Sequence, residues 1–245
     1  MGGSAAEVQQ LRSLLEGRFG RAIVQPHSRE QASGFSLGVP LLDRLLPHGV
    51  PRGVLTLWRG EATAGRTAAL RALVVRACTG GARVALVDAT RTLDAGFGCT
   101  PTGPLLGLWV VRPPGAEQVR EGAWAAEMLL RAGVFDLVIL DGCVPEPAQL
   151  HRLRLLAKEA DAALLISAES TSAGARVDVQ LEFRRLRGGR GLQVGGRFRR
   201  WVRVRAVKAG AGAFLNLESE VEVVHEPANR LHSGAPAPDR RPGRG

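Results

Sequence analysis

Gly60, Gly65, Arg66 and Thr67 stand at the spacing of a phosphate-binding loop, G-x-x-x-x-G-K-[ST], with arginine where the pattern has lysine. In such a loop the glycines let backbone N–H groups turn inward around a phosphate, and the following helix adds the positive end of its dipole. The Thr67 hydroxyl would hold Mg²⁺. The chemistry implied is binding of a nucleotide, and hydrolysis only if a general base is supplied. The context fits, because Val54-Leu55-Thr56-Leu57-Trp58 reads as a buried strand before the loop and a helix opens at Arg66. The competing reading is a glycine turn kept because strand-to-helix packing needs it, with nothing bound. Asp141 closes the apolar run Asp136 to Asp141 (DLVILD), a second buried strand ending in a carboxylate.

A second concentration of chemistry is electrostatic. Of the net charge of +10, residues 176 to 208 carry +9, with eleven basic residues against Asp178 and Glu182, while 209 to 225 carry −3. Arg184, Arg185, Arg187, Arg197, Arg199, Arg200, Arg203 and Arg205 form a candidate surface for a polyanion or an acidic protein partner. Phe198 and Trp201 beside them could stack on unpaired bases or be buried under a hairpin. Other candidates carry little. The five histidines have no acidic or cysteine partner at ligand spacing, so no metal site is expected. Cys78, Cys99 and Cys143 form no C-x-x-C pair, and Cys143 reads as a small space-filler. Ser167 lacks the G-x-S-x-G setting of a nucleophile.

The elements that must position these residues are legible from periodicity. With 45% hydrophobic residues in 245, the chain can build one sizeable α/β core. Val8, Leu11, Leu14, Leu15 and Phe19 recur at helical spacing, so residues 5 to 19 are expected to form an amphipathic helix. With the linker at 21 to 33, that helix, through Leu11, Leu14, Leu15 and Phe19, docks either on a partner or back on its own domain. The core is expected over 34 to 225. Helices are predicted at Arg66 to Thr79, Glu117 to Ala132 (Trp124, Met128 and Leu129 inward) and Pro147 to Ala160. Near-continuous apolar runs at Arg83 to Asp88, Leu108 to Val111, Asp136 to Asp141 and Ala162 to Ser167 read as strands of a doubly wound parallel sheet. After Ser170, alternation in Val177 to Arg185, Arg200 to Val207 and Phe214 to Val224 with Gly-Gly turns predicts antiparallel hairpins at one sheet edge, arginines on the solvated face. Residues 226 to 245 are expected to be a disordered basic tail. No signal peptide or run of ~20 apolar residues is seen, so the expected compartment is the cytoplasm, in association with the nucleoid, with no membrane partner.

Several segments together carry a resemblance. Ser36-Leu37-Gly38 through Leu41-Leu42-Asp43, Pro51-Arg52-Gly53, GEATAGRT at 60 to 67, VDATRTLD at 87 to 94 and FDLVILD at 135 to 141 resemble the ATPase core of RecA-type recombinases in order and spacing. Leu15-Glu16-Gly17-Arg18-Phe19-Gly20-Arg21 is similar to the N-terminal segment that in that family packs on a neighbouring subunit. Trp109-Val110-Val111-Arg112-Pro113-Pro114, with Glu117-Gln118 and Trp124 to Arg131, resembles the ImuA family, also described as SulA-like. The resemblance spans roughly residues 11 to 208 and implies a RecA-like core. It also implies a role in DNA-damage tolerance: translesion synthesis and induced mutagenesis within an SOS response. The partners it implies are an ImuB-like Y-family polymerase relative and an error-prone DnaE-type polymerase, with RecA and single-stranded DNA as further candidates.

Departures from the RecA pattern bear on the chemistry. Arg66 replaces the phosphate-neutralising lysine, and a planar guanidinium is not interchangeable with an ammonium. Two residues beyond Asp88, where the family carries its water-activating glutamate, stands Thr90. Loss of a positioned base removes ~10²- to 10⁴-fold in rate. Thr67, and Asp141 at the place of the Mg²⁺-linked aspartate, remain. The expectation is a degenerate ATPase site with no catalytic residue, and ATP and Mg²⁺ as the only candidate cofactors. The two DNA-binding loops of recombinases also lack room: Gly142 to Asp161 is mostly helix, and Ala168 to Arg176 is nine residues. Three functions stay open: a non-catalytic adaptor, a weak DNA-dependent ATPase in recombinational repair, and, from the SulA-like description only, a cell-division inhibitor.

Overall fold

The computed structural model describes residues 34–61, 63–115, 117–169, 177–185, 192–194, 197–209 and 217–225, together with 6–7, 9–11 and 13–14. Nine strands form the main sheet: β1 (Leu55–Gly60), β2 (Val84–Asp88), β3 (Leu108–Val111), β4 (Leu137–Asp141), β5 (Ala163–Ala168), β6 (Val179–Arg185), β7 (Leu192–Val194), β8 (Arg197–Ala209) and β9 (Leu217–His225). The helices that accompany it are α1 (Pro40–Leu45), α2 (Arg66–Thr79), α3 (Gln118–Ala132) and α4 (Pro147–Glu159).

Strands β6, β1, β5, β4, β2 and β3 lie side by side in that order, all parallel. Strand β8 then adds antiparallel to β6, with β9 on its other side and β7 against its far end. The architecture is the expected mostly parallel α/β sheet with an antiparallel C-terminal extension. One boundary moves. Residues 179–185 belong to the parallel part, paired with β1 from Val179↔Thr56 to Phe183↔Gly60. Alternation misplaced this strand because it is half-covered like a hairpin strand: Val179, Leu181 and Phe183 are buried while Gln180 and Glu182 are partly exposed.

Central strands bury both faces, and period-two alternation decides which layer each side chain joins. Trp58, Val84, Leu86, Leu137, Ile139 and Leu165 pack with Leu70, Leu73 and Val74 of α2 and with Leu42 and Leu45 of α1. Their neighbours Leu55, Leu57, Ala85, Val87, Val138, Leu140 and Ile166 point the other way, onto Leu129 and Leu130 of α3 and Leu150 and Leu153 of α4. The large pair Trp58 and Phe183, ring centroids 5.5 Å apart, joins β1 to β6 on the first side. Pro147 at the first turn of α4 and the Glu146 N–H donated to Gln149 Oε1 at 3.2 Å start that helix with five residues between it and Asp141. Met128 and Leu129 are inward as expected, but Trp124 is 46% exposed: on α3 it falls outside the stripe that meets the sheet.

At the opposite end of the strands from the loop of interest, Asp136 is buried between Arg52 and Arg83. Its Oδ1 accepts Arg52 Nη2 at 3.2 Å, and its Oδ2 accepts the Arg83 backbone N–H at 3.0 Å. The Arg52 guanidinium also covers the Phe35 ring at 4.8 Å. This cluster ties the segments before β1, β2 and β4 together. Asp136→Ala is expected to destabilise the chain by about 3 kcal/mol or more in urea denaturation, because it strands buried cationic donors. Breaking the exposed Arg120–Glu117 pair should cost no more than about 0.5 kcal/mol.

Of the N-terminal helix, the described residues include Leu11 and Leu14. Leu11 packs partly buried against the second core layer of its own chain, and Leu14 is 64% exposed. Leu15 and Phe19, the linker and the tail beyond 225 lie outside the described residues.

Candidate functional site

Because β1, β5, β4 and β2 run parallel and adjacent, their C-terminal ends share one edge of the sheet. That edge gathers the loop after Gly60, Glu169 after β5, Asp141 at the end of β4, and Asp88 at the end of β2 with Thr90 beyond it. Edges of this kind are where ligands bind in open α/β sheets. The spacing of Gly60, Gly65, Arg66, Thr67 and Asp141 along the sequence is thus converted into proximity.

The loop itself is tight. Gly65 adopts φ 85° as the residue before α2, a conformation that suits glycine, and no side chain caps the helix start. The Ala64 N–H donates to the Glu61 carbonyl at 3.2 Å, and the Ala64 side chain is fully buried in the α2-side core. Gly60 is held for a reason unrelated to phosphate: a Cβ there would lie 2.3 Å from the Phe183 carbonyl oxygen of β6. The Arg66 side chain turns back across the loop, Nη1 donating to the Gly60 carbonyl at 2.5 Å. Burial lowers its pKa, opposed by the negative charges of Asp141 and Glu169.

Asp141 is 6% exposed, and burial raises its pKa. The opposing influences are Ser167 and Arg66, while the like charge of Asp88 pushes the same way as burial. The Ser167 hydroxyl, opposite Asp141 on β5, completes no hydrogen bond of good geometry yet lies close enough to favour the carboxylate. Cys143 is inert as expected, its thiol pushed up to about 11 by burial and then by Asp141. Thr67, the residue after Arg66 in α2, is exposed. It lines a groove of about 670 Å³ along the outer side of α2, with Arg71, Val75 and Arg76 on one wall and Asp94 and Phe97 on the other. Neither Arg66 nor Asp141 lines that groove.

Asp88 is fully buried and fully engaged. It accepts the Thr92 N–H at 3.0 Å, the Leu93 N–H at 3.3 Å and Arg112 Nε at 3.0 Å. Arg112 also donates Nη2 to the Leu93 carbonyl at 2.8 Å, fastening the loop after β2 to the strand end. Arg91 in that loop donates to the Pro113 carbonyl. Thr90 has no carboxylate to offer: its hydroxyl meets Thr92 Oγ1 at 2.9 Å and its side chain rests on Gly142, where a Cβ would come within 2.5 Å. Arg112 was not among the sequence candidates, although its segment, Trp109 to Pro114, carried part of the resemblance.

Tested against a nucleotide with Mg²⁺, these residues do not fit as they stand. The Ala64 N–H, a donor such a loop would offer, is committed to the Glu61 carbonyl. The guanidinium lies across the loop, and Thr67 lines a groove that Asp141 does not line.

The arginine surface also needs correction. On β8, Val202, Val204 and Ala206 are buried, and Arg203 and Arg205 project to the other side, half-buried. Register sets Glu218 of β9 opposite Arg205, Glu220 opposite Arg203 and Glu222 opposite Trp201. On the β6 side, Glu182 stands opposite Arg205 and bridges to Arg184 at 2.9 Å and to Arg59 of β1 at 3.5 Å. The register thus sets acidic residues of β6 and β9 across from arginines of β8. The acidic excess at 209–225 is legible in the sequence, but only strand pairing puts it beside the arginines. Arg185 is exposed, Arg197, Arg199 and Arg200 are placed on the outer half of β8, and Arg187 lies outside the described residues.

The sheet order and the edge that carries the loop define a RecA-like α/β fold. The chain is similar to a solved structure, described as the crystal structure of the RadB recombinase, with a TM-score of 0.57 at 18% identity over 76% of this chain and 94% of that one. Among curated proteins it is similar to the RecA proteins of Streptomyces venezuelae, 30% identical over 131 residues, and Deinococcus radiodurans, 29% over 138 residues. These alignments cover 52% and 55% of this chain, and the chain spans only 34% and 37% of those relatives. No family model matches the chain.

Gly60→Ala separates the two readings of the glycine. It is expected to destabilise the ligand-free chain by roughly 1–3 kcal/mol in urea denaturation, through the clash with Phe183. A glycine kept only for phosphate approach would give no such loss.

Proposed function

We propose that this chain is a non-catalytic, RecA-like adaptor in DNA-damage tolerance that holds an ImuB-like Y-family polymerase relative and, through it, an error-prone DnaE-type polymerase. The observation that carries the non-catalytic part is at the end of β2: the carboxylate there, Asp88, is buried and saturated by Arg112 and two backbone N–H groups, and Thr90 cannot take a proton from water. Similarity to RecA proteins supports a place in DNA repair of the RecA type. The lack of room for DNA loops supports an adaptor over a recombinase: five residues separate β4 from α4, and ten residues separate β5 from β6. A weak DNA-dependent ATPase is the alternative, supported by the same relatives.

The purified chain should show no ATP turnover above background, with or without single-stranded DNA. Turnover at the rate of an active RecA-type enzyme, abolished by Thr67→Ala, would overturn the reading.

Partner holding is assigned to the outer half of β8, beyond the glutamates of β9. Arg197→Gln with Arg199→Gln should therefore release the ImuB-like partner in a pull-down, whereas Arg203→Gln with Arg205→Gln should retain it. If single-stranded DNA is the true ligand, the first pair instead flattens the log–log salt dependence by ~0.7 for each phosphate no longer neutralised.

A further inference from the structure

The misfit between the loop and a nucleotide has a specific form. A phosphate-binding loop that had merely lost its lysine would be expected to keep an open ring of N–H groups facing a gap in positive charge. Here the gap is filled from within the chain.

Arg66 sits at the first position of α2, at the helix end that repels cations, where an arginine has no favourable interaction with the dipole. Its side chain nevertheless turns inward rather than to water, half-buried, and bonds the Gly60 carbonyl on the far side of the loop. Its Nε is buried with no partner, so the inward position is maintained against the loss of a hydrogen bond. What opposes these costs is charge: Asp141 and Glu169, at the ends of two adjacent strands, both favour the guanidinium there, and Arg66 in turn favours the Asp141 carboxylate. The Ala64 N–H is already spent on Glu61, and the Ala64 methyl is anchored in the core.

We infer that the loop is self-occupied: the Arg66 guanidinium, bonded back to the Gly60 carbonyl, serves as a tethered cation at the strand-end edge, in place of the metal-bound phosphate that this kind of loop takes, and so closes the site to phosphate compounds. This rests on the non-catalytic reading of the site and adds the reason that the loop keeps its shape without a ligand. Retention of Gly65 and Asp141 then follows from folding, since the loop still has a cation to wrap and the carboxylate still has one to face.

The test uses the full chain and two probes, inorganic pyrophosphate with Mg²⁺ by calorimetry and Tm without ligand. The native chain should show no pyrophosphate binding. Arg66→Ala, and independently Arg66→Lys should the alanine variant not fold, should bind Mg-pyrophosphate at least about tenfold tighter than the native chain does. Arg66→Ala should lower Tm by roughly 4 °C, and adding Asp141→Asn should restore most of that loss. Native binding as tight as that of either variant would overturn self-occupation, as would a Tm loss that Asp141→Asn leaves unchanged. Native binding without ATP turnover would defeat this inference and leave the adaptor reading standing, so the two fail separately.

Discussion

Strand β1 is hydrogen-bonded to parallel neighbours on both sides and buried on both faces, and the loop at its end inherits that rigidity. Gly60 cannot shift without moving Phe183, and Phe183 cannot shift without moving Trp58 against which it packs. The turn from β1 into α2 is therefore set by the core rather than by anything it might bind. A loop fixed in this way keeps its shape whether or not it binds a ligand.

The same logic extends to the other strand ends. Asp88 remains at the edge, but Arg112 and the turn at Thr92 and Leu93 have drawn it into holding the loop after β2. Asp141 remains too, buried at the end of β4, where the positive charge of Arg66 favours its carboxylate. Asp88 thus has an internal counterpart in Arg112. The fold keeps an arrangement of charges that is balanced without a ligand, which suits a protein whose proposed work is to hold partners.

At the other border of the sheet, charge is managed by pairing. In the register of β8 with β9, Glu218 and Glu220 stand across from Arg205 and Arg203. Opposite charges directly across a strand pair are favourable, whereas a bare row of arginines would repel itself. Toward Arg199 and the β7 end of β8, the register sets no acidic residue of β9 opposite the arginines.

Sequence alone determined the succession of elements and the existence of the loop. Apolar runs five or six residues long, bounded by helical periodicity, can be satisfied only as strands buried on both faces, and α2 matches its predicted span of Arg66 to Thr79. The glycine spacing and the two strand-end aspartates were equally legible, since they are local. What needed the tertiary structure was every relation between distant segments: Phe183 against Gly60, Arg112 on Asp88, Arg66 toward Asp141 and Glu169, Leu11 on its own core, and the glutamates of 218–222 beside Arg203 and Arg205. Residues 179–185 show why. Their alternation records that one face is covered, but a half-covered strand looks the same whether its neighbour runs parallel or antiparallel. Direction is a property of the pair, and a single segment does not encode it.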